Sequence, residues 1–173
     1  MLIIFEGIDR VGKTTLLNKI SETYNIPKFK DNYMSFSGFK MGSKFNVSPT
    51  RESCVVNIER MNCLLNYVES VGKTENLLID RFHMSEYVYD KLERNEDIYE
   101  AFEQLDERIA RLNSLIILVD PIDIVRSSSL HGKDLTKHKE EFDILFEKTK
   151  CRKVRTNWND IDRFVVDFVK ELC

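Results

Sequence analysis

Two kinds of apolar pattern alternate along this chain. Short runs that are apolar at every position are typical of strands buried on both faces, and apolar residues that recur every three or four positions are typical of amphipathic helices. The runs predict strands at 2–5, 76–82 and 114–121, and the less regular segments 32–37 and 152–157 are a weak second strand and a possible last strand. The helical spacing predicts helices at 13–24, 51–70, 85–112, 140–149 and 160–173, and Asp160 is the expected N-cap of the last one.

The order of these elements predicts an α/β fold. Strands that alternate with helices form a mainly parallel sheet covered by helices on both faces, here a three-layer sandwich around five strands. Ligands of such folds bind at the carboxyl ends of the strands. A charged segment at 126–141, with three successive serines, interrupts the order, and we interpret it as a short mobile lid within a single domain of residues 1–173.

The composition is that of an ordinary soluble globular protein. The 173 residues are 42% hydrophobic and 32% charged, which suffices for one domain with a sizeable core. The longest apolar runs are too short to span a membrane, and the amino terminus carries no basic leader, so we expect a cytoplasmic protein without a membrane partner. The four cysteines show no CxxC spacing, which argues against a zinc site or a disulfide framework.

The charge is unevenly distributed. The first sixty residues carry an excess of three positive charges, whereas the remainder carries an excess of six negative charges. This pattern favours a small anionic substrate, because a nucleic-acid surface usually requires a strongly basic face. A nucleic-acid partner is therefore not expected, although the pattern leaves it open.

The stretch FEGIDRVGKTTL carries the spacing GxxxxGKT. Gly7 and Gly12 permit backbone angles that direct successive N–H groups towards phosphates, and the helix that follows adds the positive end of its dipole. Lys13 is placed to reach the β- and γ-phosphates of ATP, and the Thr14 hydroxyl is a candidate ligand of Mg²⁺. An apolar strand before the motif and an amphipathic helix after it supply the context that the motif requires.

A second stretch, LLIDRFHMSEYVY, follows later in the chain. Asp80 closes an apolar strand, where its carboxylate would hold Mg²⁺ opposite Thr14, and the Arg81 guanidinium would clamp a phosphate with two hydrogen bonds. The alternative is structural, with Asp80 capping the next helix and Arg81 pairing on the surface. Beside a phosphate loop, the functional interpretation is favoured.

Together the two stretches resemble the thymidylate kinases, members of the nucleoside monophosphate kinase group of P-loop proteins. The first matches FEGxDxxGKTT, and the second matches DRYxxSxxAYQ at Asp80, Arg81, Ser85 and Tyr89. The resemblance implies Mg²⁺-assisted transfer of a phosphoryl group from ATP to a deoxynucleotide, most like dTMP or a related pyrimidine monophosphate. It also implies that Asp9 lies near the sugar and phosphate of the acceptor.

The resemblance extends to the source of the catalytic arginine. Some family members place it inside the loop, where Arg10 stands here, and others supply it from the lid. The serine-rich lid leaves Arg126 and Lys133 as its cations, so this chain is more similar to the first group. The resemblance implies a catalytic set of Asp9, Arg10, Lys13 and Arg81. It implies contacts to the nucleotide cofactor from Gly7, Gly12, Lys13, Thr14, Thr15, Arg126 and Lys133.

Two departures from the family leave the acceptor open. The family's Tyr-Gln pair is Tyr89 and Asp90 here, which would alter the contacts to the acceptor's base or sugar. The segment REPGG is missing, and Arg51 in PTRESC is a candidate for the acceptor phosphate that could equally be a charge at a helix N-terminus. The predicted acceptor contacts are Asp9, Arg51, Arg81, Tyr89 and Asp90. The resemblance is also compatible with a homodimer formed through helices such as 51–70.

Two alternatives stay open at the level of the sequence. The acceptor could be a deoxynucleoside or a modified base within DNA, because the weak second strand and Asp90 leave room for a different substrate. The chain could also be a nucleotide-binding P-loop protein without turnover, although such a binder would not need both Asp80 and Arg81.

Overall fold

The structure, a computed structural model, describes residues 1–30, 51–71, 76–132 and 134–168. Its centre is a five-stranded parallel sheet with the strand order β2-β3-β1-β4-β5. The strands are β1 (Leu2–Glu6), β2 (Lys28–Lys30), β3 (Leu77–Asp80), β4 (Ser114–Asp120) and β5 (Arg152–Asn157). The predicted α/β fold with a mainly parallel, five-stranded sheet is therefore confirmed.

Helices cover both faces of this sheet. They are α1 (Lys13–Tyr24), α2 (Arg51–Val71), α3 (His83–Tyr89), α4 (Tyr99–Ala110), α5 (Ile124–His131), α6 (Thr136–Lys148) and α7 (Ile161–Asp167), with a π-helical turn at Asp90–Arg94 and a 3₁₀ turn at Trp158–Asp160. Helices α1 and α7 pack against each other, whereas α3 packs against α2, α4 and α6. The two helical groups and the sheet form the predicted three layers. None of the helices in the described ranges is long and apolar enough to cross a membrane.

The central strands explain the fully apolar runs in the sequence. Every residue of β1 is buried, and so is all of β4 except its last residue, because helices cover both faces of a parallel sheet. The strand register places Phe5 beside Asp80 and Glu6 beside Leu118. The carboxyl ends of β1, β3 and β4 consequently lie side by side at one edge, where ligands of such sheets bind.

Two predicted elements differ from the structure. The second strand lies at Lys28–Lys30, and the predicted strand at 32–37 falls outside the described residues. The single helix predicted at 85–112 is wrong, because the π-helical turn that follows α3 ends at Arg94 and α4 begins only at Tyr99. Asn95 has a φ of 56°, a left-handed conformation that asparagine tolerates better than most residues and that stops a helix.

The predicted lid is mostly helical. Helix α5 covers much of it, and α6 begins at Thr136, earlier than the predicted start at 140. The N-cap of α6 is Leu135, and Asp134 before it accepts a hydrogen bond from the N–H of Thr136 at 2.9 Å, which forms a local turn at the start of the helix.

The capping chemistry predicted for the last helix is also wrong. Asp160 occupies the N-cap position of α7, but its side chain makes no capping hydrogen bond. The Asn157 side chain instead accepts from the N–H of Asn159 at 2.9 Å and starts the 3₁₀ turn that leads into α7. Helix α7 ends at Asp167, and the rest of the predicted helix, 169–173, falls outside the described residues.

Candidate active site

The phosphate loop and the end of β3 meet at the carboxyl edge of the sheet. Phe5 of β1 pairs in register with Asp80, the last residue of β3. The backbone N–H of Arg81 donates to the Phe5 carbonyl at 2.9 Å, which continues this contact beyond the strand. The fold thus brings together two motifs that are far apart in the sequence.

The two glycines of the loop are required by both conformation and space. Gly7 has a φ of 129°, and a Cβ there would lie 2.5 Å from the carbonyl oxygen of Val119. Gly12 has a φ of 91°, and a Cβ there would lie 2.5 Å from Cε3 of Trp158. Helix α1 begins directly after Gly12, so the loop ends at a helix N-terminus, a favourable place for phosphate.

Lys13 is buried in the centre of the loop, with 5% of its surface exposed. Its Nζ donates to the carbonyl oxygens of Gly7 and Ile8 at 2.8 and 2.5 Å. Burial lowers the pKa of Lys13 to about 8, although the negative charges of Asp80 and Glu6 favour the ammonium. The ammonium can exchange these loop carbonyls for the oxygens of a bound phosphate, which are stronger, charged acceptors.

Thr14 and Asp80 form the predicted pair across the two motifs. The Thr14 hydroxyl donates to Oδ2 of Asp80 at 2.5 Å, and the buried Oδ1 of Asp80 has no hydrogen-bond partner in the described part of the chain. A hydroxyl and a carboxylate fit Mg²⁺, which takes oxygen ligands and keeps several waters. Groups of three or more His, Cys, Asp and Glu that could hold a metal are absent from the residues described, but Mg²⁺ bound with substrate phosphates needs no such group.

Arg81 points to the loop instead of the open surface. Its side chain is 19% exposed, forms an ion pair with Asp9, and lies with its guanidinium carbon 5.2 Å from the centre of the Tyr89 ring. The capping role that the structural alternative gives to Asp80 is therefore wrong, because Asp80 accepts from Thr14 and the N-cap of α3 is Phe82.

The other residues predicted to act on the donor are less closely gathered. Arg10 lies at the tip of the loop with an exposed side chain and a φ of 66°. Thr15 is exposed in the first turn of α1, and Arg126 is exposed on α5. Lys133 falls outside the described residues.

Of the residues predicted to contact the acceptor, some lie beside the loop and others do not. Tyr89 lies beside Arg81, as described above, but the structure does not bring Asp90 to the loop. Asp90 is fully buried and forms an ion pair with Arg94 in the same π-helical turn. Arg51 is the first residue of α2, and its side chain lies outside the described part of the structure.

Comparisons with known proteins support the fold. YorR from Bacillus subtilis, solved in complex with phosphorylated GDP, matches 99% of this chain and 95% of its own with a TM-score of 0.70 and 20% identity. Thymidylate kinase from Ehrlichia chaffeensis matches 100% of this chain and 98% of its own with a TM-score of 0.64 and 18% identity. The fold is that of the thymidylate kinases. No protein-family profile and no curated protein matches the sequence, so the likeness is one of structure.

Within this thymidylate kinase fold, Glu6 has a role that the sequence analysis missed. It is fully buried and accepts hydrogen bonds from the N–H groups of Phe82 at 2.9 Å and Met84 at 3.2 Å, and from the Ser85 hydroxyl. Burial raises the pKa of Glu6, and the charge of His83 and the Ser85 hydrogen bond offset this only in part. Glu6, the last residue of β1, thereby caps the N-terminus of α3, which follows β3 in the chain. An acid at the end of an otherwise apolar strand was the available signal.

Trp158 is the second missed residue of the site. Trp158 belongs to neither motif, but its ring lies directly on Gly12. The indole is 44% exposed, so one side covers the phosphate loop and part of the ring remains open. It is also the single tryptophan of the chain, and its fluorescence can therefore report on the loop.

Proposed function

We propose that this protein is a nucleoside monophosphate kinase of the thymidylate kinase type. It uses ATP and Mg²⁺ to phosphorylate a deoxynucleoside 5′-monophosphate such as dTMP. The observation that carries the proposal is the convergence of Lys13, the Thr14–Asp80 pair and the Asp9–Arg81 pair at one edge of the sheet. Phosphoryl transfer depends mainly on positioning and charge neutralisation, and these are the groups it requires.

The loop side of the site holds the donor. Backbone N–H groups between Gly7 and Lys13 surround the β- and γ-phosphates, and the Lys13 ammonium leaves its carbonyl partners to bind them. Thr14 and Asp80 are the residues that would hold Mg²⁺, and the ion would supply positive charge that stabilises the negative charge of the donor phosphates. Arg10 reaches the phosphoryl group being transferred from the tip of the loop.

The β3 side of the site holds the acceptor. Arg81 exchanges the Asp9 carboxylate for the acceptor's phosphate, while the ring of Tyr89 keeps the guanidinium in place. Asp9 then faces the acceptor's sugar. An oxygen of the acceptor phosphate forms a bond to the γ-phosphorus, the bond from that phosphorus to the bridging oxygen breaks, and ADP leaves.

The segment around α5 completes the donor site as a lid of the single domain. Helix α5 begins four residues after Asp120, at the same edge of the sheet as the loop, and it carries the exposed Arg126. Closure of such a segment excludes water from the transferred phosphoryl group, which protects it from hydrolysis.

A panel of acceptors tests the proposal. ADP release is measured with ATP, Mg²⁺ and each of the deoxynucleosides, deoxynucleoside monophosphates and duplex DNA, some of it carrying hydroxymethylated bases. We expect release that depends on a deoxynucleoside monophosphate and yields the diphosphate. Guanine monophosphates belong in the panel because YorR was solved with phosphorylated GDP. Absence of transfer to every acceptor would overturn the proposal.

The same panel separates the alternatives. Transfer of phosphate to a deoxynucleoside or to the DNA would assign the reaction to a different acceptor. The assignment of the donor half of the site would be unchanged. Tight ATP binding without acceptor-dependent ADP release would identify a nucleotide-binding protein without turnover.

A further inference from the structure

The turn from Arg81 to Ser85 positions Arg81 and the preceding Asp80 in the proposed site. Interactions among the turn's own residues stabilise it only weakly. Arg81 has a φ of 72°, in the left-handed region that disfavours side chains, and Phe82 makes no side-chain capping bond to α3. The turn is stabilised instead by Glu6, which accepts hydrogen bonds from the N–H groups of Phe82 and Met84. The residue between these two amides is His83.

His83 is anchored by two residues of α4, Phe102 and Asp106. It is 1% exposed, and its ring stacks on Phe102 with centroids 5.2 Å apart and planes 9° apart. Its Nε2 lies 3.0 Å from Oδ1 of Asp106 on α4. Because an ionised carboxylate only accepts hydrogen bonds, this contact assigns a proton to Nε2.

Asp106 is itself fixed to a third part of the chain. It is 4% exposed and accepts from the Thr149 hydroxyl at 2.5 Å and the Lys150 N–H at 2.8 Å, just before β5. Burial alone would raise the pKa of Asp106, but the hydrogen bond and charge of His83, with the bonds from Thr149 and Lys150, hold it below its usual range. The carboxylate is therefore ionised and connects α3, α4 and the start of β5.

We infer that His83 is a positioning residue of the proposed phosphoryl transfer. Its hydrogen bond to Asp106 fixes the first turn of α3, so that Glu6 holds the amides on either side and Arg81 and Asp80 stay in place beside the loop. This role rests on the proposed function and adds a residue that acts on the site only through the turn.

Three substitutions of His83 test this role. Gln places its amide nitrogen near the position of Nε2, whereas Asn places it near Nδ1, which has no hydrogen-bond partner among the described residues. Phe keeps a ring against Phe102 but has no donor. We expect kcat of His83→Asn and His83→Phe to fall about tenfold to a hundredfold, since small misplacement of reacting groups has effects of this size. Their KM for ATP should change much less, and His83→Gln should retain most of the activity.

A second readout does not depend on catalysis. The amides of Phe82 and Met84 should exchange with deuterium faster in His83→Asn and His83→Phe than in the native protein or in His83→Gln. Ile109→Val is the matched control, because it removes one buried methyl group from the same helix as Asp106. It should lower Tm and leave kcat, measured well below Tm, unchanged.

The outcomes are distinguishable from a failure of the proposed function. A native protein without kinase activity would refute the function, and the exchange experiment would still test the turn. Native kcat and native exchange in both His83→Asn and His83→Phe would overturn the positioning role. Equal losses in His83→Gln and His83→Asn would overturn it too, because the Asp106 hydrogen bond would then be irrelevant.

Discussion

The phosphate loop and the turn after β3 each hold an arginine in a left-handed conformation, but they hold it in different ways. Arg10, with a φ of 66°, lies in a loop shaped by the backbone of two glycines and the start of α1. Arg81, with a φ of 72°, lies in a turn held by the buried side chains of Glu6 and His83. A site made by backbone conformation leaves a short motif in the sequence, whereas a site held by distant buried side chains does not.

The largest effect is expected at the centre of the loop. Lys13→Ala removes the buried ammonium, and we expect kcat to fall at least about a thousandfold, as when a main charge-stabilising group is lost. Circular dichroism should show an unchanged fold. Lys19→Ala is the control, since Lys19 lies on the same helix, is half-exposed and pairs with Asp162 at 2.6 Å. Activity of Lys13→Ala above about a tenth of native would contradict the assignment.

The next effect separates the loop arginine from the lid arginine. Arg10→Ala should lower kcat about a hundredfold, because its charge acts on the phosphoryl group in transfer. Arg126→Ala should lower it less than about tenfold, because the serine-rich lid is assigned only a covering role. Initial rates at saturating ATP measure both. If the Arg126 substitution had the larger effect, the catalytic arginine would belong to the lid.

A smaller effect is expected for the loop backbone. Gly12→Ala combines a φ of 91° with a Cβ placed 2.5 Å from the Trp158 ring, so we expect a loss of about 2 kcal/mol or more in the free energy of unfolding. Gly132→Ala is the matched control, because its φ is 82° and a Cβ there meets nothing within 4 Å. It should lose only the conformational part, about 1 kcal/mol. Equal losses in urea unfolding would contradict the packing of Trp158 on the loop.

The smallest effect is a pH dependence of donor binding. Burial lowers the pKa of Lys13 to about 8, so the ammonium predominates at pH 7 and is lost as the pH rises through about 8. The phosphates bind the charged form, and the Kd for ATP should therefore rise about tenfold per pH unit above about 8. Trp158 fluorescence or calorimetry measures it. A Kd that stays constant to pH 10, or the same rise in Lys13→Ala, would contradict this.

The comparison also explains what the sequence could reveal about the fold. Fully apolar runs identified β1, β3 and β4, because strands buried on both faces leave a strong signal. The short β2 was missed, since three residues with lysine at both ends resemble neither pattern. The break between α3 and α4 was missed because it depends on a left-handed Asn95 and a π-helical turn instead of a proline or glycine.

The candidate site, like the fold, could be predicted only where it depends on a local pattern in the sequence. Residues in the two motifs, such as Lys13, Thr14 and Asp80, come together as the motif spacing indicates. Glu6 lies in the first motif, which predicts no role for it, and His83 lies in the second motif as a variable position. Their partners, Phe82 and Asp106, are defined only by packing of α3 and α4, which no local pattern encodes.

The most direct test of the proposed transfer is ³¹P NMR of the native protein with MgATP and a deoxynucleoside monophosphate, beginning with dTMP. The account predicts that the γ-phosphate resonance of ATP disappears while the β-phosphate resonance of the deoxynucleoside diphosphate appears. Unchanged ATP, or release of inorganic phosphate alone, with every deoxynucleoside monophosphate would contradict it.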